Sequence, residues 1–218
     1  MFDVVIFDES SQADVRGVNI AYLGKKLLVV GDPEQISPIS FLKQDDVVGL
    51  IGKHLANIRH SEHFSITSSF FDIAEVKMSE RVMLLEHFRS VEEIIGFSNK
   101  LSYNGRLETL RYPQPKWQLK PVLEAVHVSN GFMNLNNQVN EPEAEAIVEK
   151  LAEMLKDPKY DERDNEKGGT RPTTFGVTTL LGNDQGKFIT NLIRQKISEE
   201  EIEKRKIIAG NPYAFQGD

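Results

Sequence analysis

Two short runs constrain the fold more than anything else in the chain. Val4-Val5-Ile6-Phe7 runs into Asp8-Glu9, and Leu27-Leu28-Val29-Val30 runs into Gly31-Asp32. Each is continuous, apolar and rich in β-branched residues. Such runs read as strands buried on both faces, as in a parallel sheet covered by helices. The chain between them is too short for much more than one helix or loop.

The rest alternates in the same way. Residues 41–80 read as mixed loop and helix, and residues 82–85 form a third apolar run. Ser90 is placed to cap a helix over 91–101, with Glu92 and Glu93 in the first turn, where the helix dipole favours them. Tyr103-Asn104-Gly105 then supplies a turn. Residues 122–128 read as a strand. The clearest helix follows: Asn140 is a good N-cap with Glu143 three residues on, and Ala144, Ile147, Val148, Leu151 and Leu155 form one stripe. Asp157-Pro158 stops it. Residues 157–172 are polar with paired glycines and read as a mobile surface loop. Residues 175–181 read as a strand, 183–197 as a helix and 206–209 as a strand. Residues 199–206 (EEEIEKRK) set acids before bases, as a solvated helix does. Strands alternating with helices give an α/β class with a mainly parallel sheet. Ligands of such sheets bind at the carboxyl ends of the strands. Asp8, Glu9, Asp32, Thr178 and Gln216 all follow expected strands.

Composition narrows the function classes. The 218 residues carry a formal net charge of −7, with 39% hydrophobic and 27% charged residues. This is an ordinary globular balance, and it argues against a simple basic nucleic-acid module. There is no cysteine, hence no disulfide, thiolate metal site or Cys nucleophile. The start lacks a basic n-region and is not a signal peptide, and no apolar run approaches the roughly 18 residues of a membrane span. A cytoplasmic protein without membrane contact is expected. His60 and His63 stand at i, i+3, but with no partner ligand evident a metal site is not expected there.

An adjacent carboxylate pair after a buried strand is the Walker-B arrangement of nucleotide hydrolases: one Asp holds Mg²⁺, the next Glu polarises the attacking water. A lone Asp-Glu is equally the end of a strand. Gly31-Asp32-Pro33-Glu34-Gln35 adds a tight turn that projects Asp32 and Gln35. FDESSQA followed by VVGDPEQISP resembles motifs II and III of superfamily 1 helicases, in the bacterial-type branch around the nonsense-mediated-decay helicase. LLEHFRS is similar to motif IV, and FSNKLSYNGRL to the helix that follows it. NEPEAEAIVEKL is similar to a later family helix, FGVTTLLGNDQGKFITNLI to the G-V-I-T…Q segment, and AFQGD to the start of motif V. These segments stand in family order and cover nearly the whole chain.

The resemblance implies a RecA-like P-loop NTPase fold: residues 1–80 as the later part of a first RecA-like domain, and residues 81–218 as most of a second. It implies ATP and Mg²⁺ as cofactors and single-stranded DNA or RNA as partner. Asp8 would bind Mg²⁺ and Glu9 would be the catalytic base. Gln12 and Asp32 would line the nucleotide cleft, and Gln35 would sense the γ-phosphate. Arg89 would be an arginine finger, and Phe88 would stack on adenine. Thr178 and Thr179 would lie near the nucleic-acid backbone, and Gln216 and Gly217 would belong to motif V, which touches both the nucleotide cofactor and the strand. Without the resemblance, Arg89 reads as a surface partner of Glu86 or Glu92, Phe88 as core, and Gln185 as a helix N-terminal residue.

A phosphate cradle of the form G-x-x-x-x-G-K-S/T is missing. Gly24-Lys25-Lys26 lacks the earlier glycine, and Gly182 to Phe188 is one residue short and ends in Phe. The chain therefore reads as a fragment, inactive alone, of an ATP-dependent helicase or translocase. Two alternatives stand beside this: a degenerate NTPase fold kept for binding, and the motor part of a nuclease-fused defence or repair protein.

Overall fold

The computed structural model describes residues 1–38, 43–113, 115–164 and 169–215. The chain divides into two compact units, Met1–Leu84 and Leu85–Asp218. It mixes helices with small sheets, and three of the four described strand pairs are parallel, which is compatible with an α/β class.

In the first unit, β1 (Phe2–Phe7) pairs in parallel with β2 (Gly24–Val29), from Phe2 opposite Gly24 to Phe7 opposite Val29. The crossover holds two 3-10 turns, Ser10–Gln12 and Val15–Gly17, and a single-turn helix α1 (Val18–Ala21). Helix α2 (Gln44–His54) follows, then α3 (Phe70–Glu75). A reciprocal cap starts α3: Ser69 Oγ accepts from the Asp72 N–H at 3.1 Å, and the Asp72 carboxylate accepts from the Ser69 N–H at 2.8 Å. This satisfies two donors that a helix start leaves open. Phe70 is buried and meets the Phe7 ring edge-on at 4.8 Å. Gly17 lies flat beneath it, where a Cβ would stand 3.0 Å from the Phe70 side chain.

The strands of this pair are not buried on both faces. Val4 and Ile6 are 53% and 65% exposed, whereas Val5 and Phe7 are half-buried. Side chains alternate across a strand, and only the face that receives Phe70 is covered.

The second unit contains β3 (Glu86–His87), α4 (Glu92–Ser102), β4 (Glu108–Thr109), α5 (Glu141–Met154), β5 (Glu162–Asp164), β6 (Thr170–Pro172), β7 (Gly176–Thr178), α6 (Asp184–Lys196), α7 (Glu199–Lys204) and β8 (Ile208–Gly210). Its core is the seam between α5 and α6. Ala144, Val148 and Leu151 meet Ile189 and Ile193, with Ile197 and Ile207 closing the cluster. The parallel pair β7–β8 lies against α6. Asn140 caps α5 as its sequence suggests, accepting from the Glu143 N–H at 3.2 Å.

Several expected elements differ. Residues 82–85 form no strand; pairing begins at Glu86, opposite Glu108. Val91, not Ser90, occupies the cap of α4. The Ser90 N–H is drawn into the preceding turn, where it donates to His87 Nε2 at 2.9 Å. Residues 122–128 form no ladder, and Leu123 and Val126 are exposed: strand-like composition is not enough without a partner among the described residues.

The polar segment after α5 folds back as an antiparallel hairpin, β5 with β6. Its anchor is Arg205, which the charge run suggested would be solvated and which is 3% exposed. Arg205 Nη1 donates to the carbonyls of Tyr160 and Asp161, Nη2 to the Asp161 carboxylate at 3.1 Å, and Nε to Glu201 at 3.3 Å. A guanidinium is costly to bury unless its donors are met, and these acceptors take four of its five N–H groups.

Ile189 is fully buried between the helices and the β7–β8 pair. Ile189→Ala is expected to destabilise the chain by about 2–5 kcal/mol through lost burial and the cavity left behind. Urea unfolding followed by circular dichroism measures it.

Candidate functional site

The first unit brings two acidic turns together at the carboxyl ends of its parallel strands. The β1 chain leaves Phe7 and bends at once. The Ser10 N–H and Oγ both donate to the Val30 carbonyl, at 2.9 and 2.7 Å, while the Val30 N–H returns to the Phe7 carbonyl at 2.8 Å. Ser11 Oγ then accepts from the Asp32 N–H at 3.3 Å. Both serines are buried. Polar groups can be buried here because each hydroxyl makes a hydrogen bond to the facing backbone.

Gly31 makes the approach possible. A Cβ there would fall 2.6 Å from Ser10 Oγ, 2.9 Å from the Phe71 ring and 3.0 Å from the Ser11 nitrogen. Within this frame Asp8 and Glu9 are exposed. Glu9 has left-handed backbone angles, φ 52° and ψ 36°, a conformation that favours glycine and costs other residues about 1 kcal/mol or more. That bend lets the Glu9 N–H donate to Asp8 Oδ1 at 2.9 Å and Gln12 Nε2 donate to Glu9 Oε2 at 2.8 Å. Strain of this kind concentrates at functional sites. In the second turn, Asp32 Oδ1 accepts from the Glu34 N–H at 3.0 Å, and Gln35 Nε2 reaches Asp32 Oδ2 at 3.5 Å. Asp8, Glu9, Gln12, Asp32 and Gln35 thus sit on two turns bridged by Ser10 and Ser11.

Beside these turns lies a cavity of about 400 Å³, lined by Phe7, Gln12, Asp14, Arg16 and Ile20 among others. Asp14 and Arg16, both in its lining, pair at 2.7 Å. The Arg16 guanidinium bonded to Asp14 holds that carboxyl below the usual range, against a smaller opposing effect of burial.

In the second unit, Phe88 and Arg89 follow β3, and both are exposed. Phe88 is therefore not core. Among the described residues no ion pair involves Arg89, so pairing with Glu86 or Glu92 is not seen. The Arg89 carbonyl accepts from Arg111 at 3.1 Å. Thr178 ends β7 and is exposed. Thr179 is buried; its N–H donates to the Gly210 carbonyl at 2.8 Å, and its hydroxyl has no partner among the described residues. Gln216 and Gly217 lie outside the described residues.

Gln185 does more than begin a helix. Its side-chain oxygen accepts from the Asn140 N–H at 2.8 Å, and its Nε2 donates to the Asn140 carbonyl at 3.1 Å. It satisfies the backbone of the α5 cap from the start of α6. The sequence reading missed this clamp and the two serine bridges. The adjacent Ser10-Ser11 pair is the sequence signal that could have found the serine bridges; nothing local marks the Gln185 clamp.

A search of protein-family models found no match to the chain. Among known proteins it is similar to the DNA replication ATP-dependent helicase/nuclease DNA2 of Gallus gallus, 26% identical over 94% of this chain and 18% of the relative. A probable helicase with zinc finger domain of Danio rerio is 22% identical over 98% of this chain and 11% of its own length. An uncharacterized ATP-dependent helicase of Mycoplasma pneumoniae is 24% identical over 73% of this chain and 14% of its own length. All three are named helicases, and the likeness supports a helicase family. The chain spans less than a fifth of each.

Gly31→Ala is expected to lower stability by about 1–3 kcal/mol, because the new methyl meets backbone as well as side chain; urea unfolding reads this out. For Asp14, NMR titration should place the carboxyl below the ordinary value of about 3.9. Arg16→Gln should bring it back. The sign follows from the lowered folded value: the stabilisation is complete above about pH 4 and is lost as pH falls through the folded pKa.

Proposed function

We propose that this chain is part of an ATP-dependent helicase or translocase of superfamily 1, built on RecA-like domains and moving on single-stranded DNA or RNA. The observation that supports it most is the joining of the Asp8-Glu9 and Asp32-Gln35 turns at one end of a parallel strand pair. Three relatives named as helicases support it independently. Among the described residues no helix is long and apolar enough to cross a membrane.

The exposed carboxylate of Asp8 suits Mg²⁺, which binds through one or two carboxylates and keeps several waters. Bound there with ATP, the ion would neutralise charge on the phosphates. Glu9, held by Gln12, is the group to orient and deprotonate the attacking water; its fixed backbone leaves little ordering to be done at the moment of reaction. Asp32 holds the turn that carries Gln35, the γ-phosphate sensor of this scheme. Among the described residues Arg89 has no carboxylate partner to give up before it takes a phosphate oxygen, and Phe88 offers an exposed ring for adenine. In this scheme Thr178 and Thr179 serve the nucleic-acid backbone, and Gln216 and Gly217, as part of motif V, serve both the nucleotide and the strand.

The 218 residues contain no phosphate cradle, so the activity proposed is that of a longer protein that supplies one. A fused nuclease, as in the name of the Gallus gallus relative, is one form that protein could take. The same missing cradle favours one second reading, a degenerate NTPase fold retained for binding.

The test is Mg-ATP hydrolysis by the longer protein with and without single-stranded DNA and RNA. Strand-stimulated turnover is expected, with Glu9→Gln lowering kcat by about 10²–10⁴-fold. Absence of turnover in a folded protein would select the binding module.

A further inference from the structure

The segment between α2 and α3 carries a cluster that the nucleotide chemistry does not use. His60 has left-handed backbone angles, φ 68° and ψ 24°, and leads into one 3-10 turn, Ser61–His63. The turn closes with the His63 N–H donating to the His60 carbonyl at 3.2 Å. Its effect is to gather two imidazoles around the carboxylate between them. His60 Nδ1 stands 3.6 Å from Glu62 Oε1, and His63 Nε2 stands 3.8 Å from the same oxygen. One ligand atom from each residue lies within 4.8 Å of the others.

The sequence showed two histidines and no third ligand. The turn supplies it in Glu62. Ligands 2.0–2.1 Å from a tetrahedral zinc are separated from one another by about 3.4 Å. Two of the three separations here are within a few tenths of an ångström of that, and the exposed His63 ring can turn about χ1 and χ2 to close the third. Imidazole nitrogens favour zinc, nickel and copper over magnesium, which prefers oxygen donors. The geometry points to a site for a zinc-class divalent cation, held by His60, Glu62 and His63 with water completing the shell. It is separate from the Mg²⁺ proposed at Asp8 and does not depend on the helicase reading.

The experiment is a Zn²⁺ titration of the 218-residue chain against a chromophoric chelator, in excess Mg²⁺, with the histidine ring signals followed by NMR. One saturable equivalent is expected, with shifts in the rings of His60 and His63 and none at His54, His87 or His127. His60→Asn with His63→Gln should weaken binding by about 100-fold, and Glu62→Gln by about tenfold. Asn is chosen at 60 because it tolerates left-handed angles, so the turn keeps its path. The proposal is overturned by the absence of saturable binding below about 100 μM, by binding that survives the double variant, or by shifts at the other histidines. If the double variant fails to fold, the ring shifts of the unmodified chain decide.

Discussion

The first unit depends on one junction, the Val30 carbonyl that accepts twice from Ser10. A parallel strand pair leaves its carboxyl ends with unpaired backbone groups, and nothing in the strands themselves dictates how the chains leave. The Ser10 bonds fix the exit of β1 against the exit of β2. The Ser11 bond to the Asp32 N–H repeats this one residue on. Each hydroxyl is buried and satisfied, so the arrangement has little freedom to drift. Gly31 is the steric condition for it, since any side chain would push the two turns apart.

In the second unit the same logic appears with different groups. The α5–α6 seam is apolar, and apolar packing alone tolerates sliding. Gln185, bonded to both backbone groups of Asn140, sets the two helices in one register at their starts. Arg205, at the end of α7, donates three hydrogen bonds to Tyr160 and Asp161 at the entry to the β5–β6 hairpin. Both are buried polar groups whose partners are distant in sequence, and both trade desolvation for positional definition.

Chemistry and strain coincide in the first unit. Glu9 is the residue with left-handed angles on the turn that carries both carboxylates, and His60 is the left-handed residue of the turn that gathers His60, Glu62 and His63. In each case the bend accompanies a local contact, Gln12 to Glu9 in the first turn and His60 and His63 to Glu62 in the second. The exposed apolar face of β1, with Val4 and Ile6, differs in kind: it is a covered-strand sequence whose cover is seen on one side only.

Much was legible in the sequence because it is governed by local rules. The strand runs, the Asn140 cap, the apolar stripe of α5 and the placement of acidic residues after strands follow from periodicity, capping chemistry and side-chain alternation. Elements failed where a distant partner decides: residues 122–128 have strand composition but no ladder, and Arg205, next to the charged end of α7, is buried against Tyr160 and Asp161. For the candidate site, the sequence determined which carboxylates and amides stand on which turn. Only the tertiary structure decided that the two turns meet, through serine hydroxyls and a glycine whose roles exist only once β1 and β2 are paired. The physical reason is that hydrogen bonds between residues some twenty positions apart carry no local pattern, and form only after chain crossover has set the strands side by side.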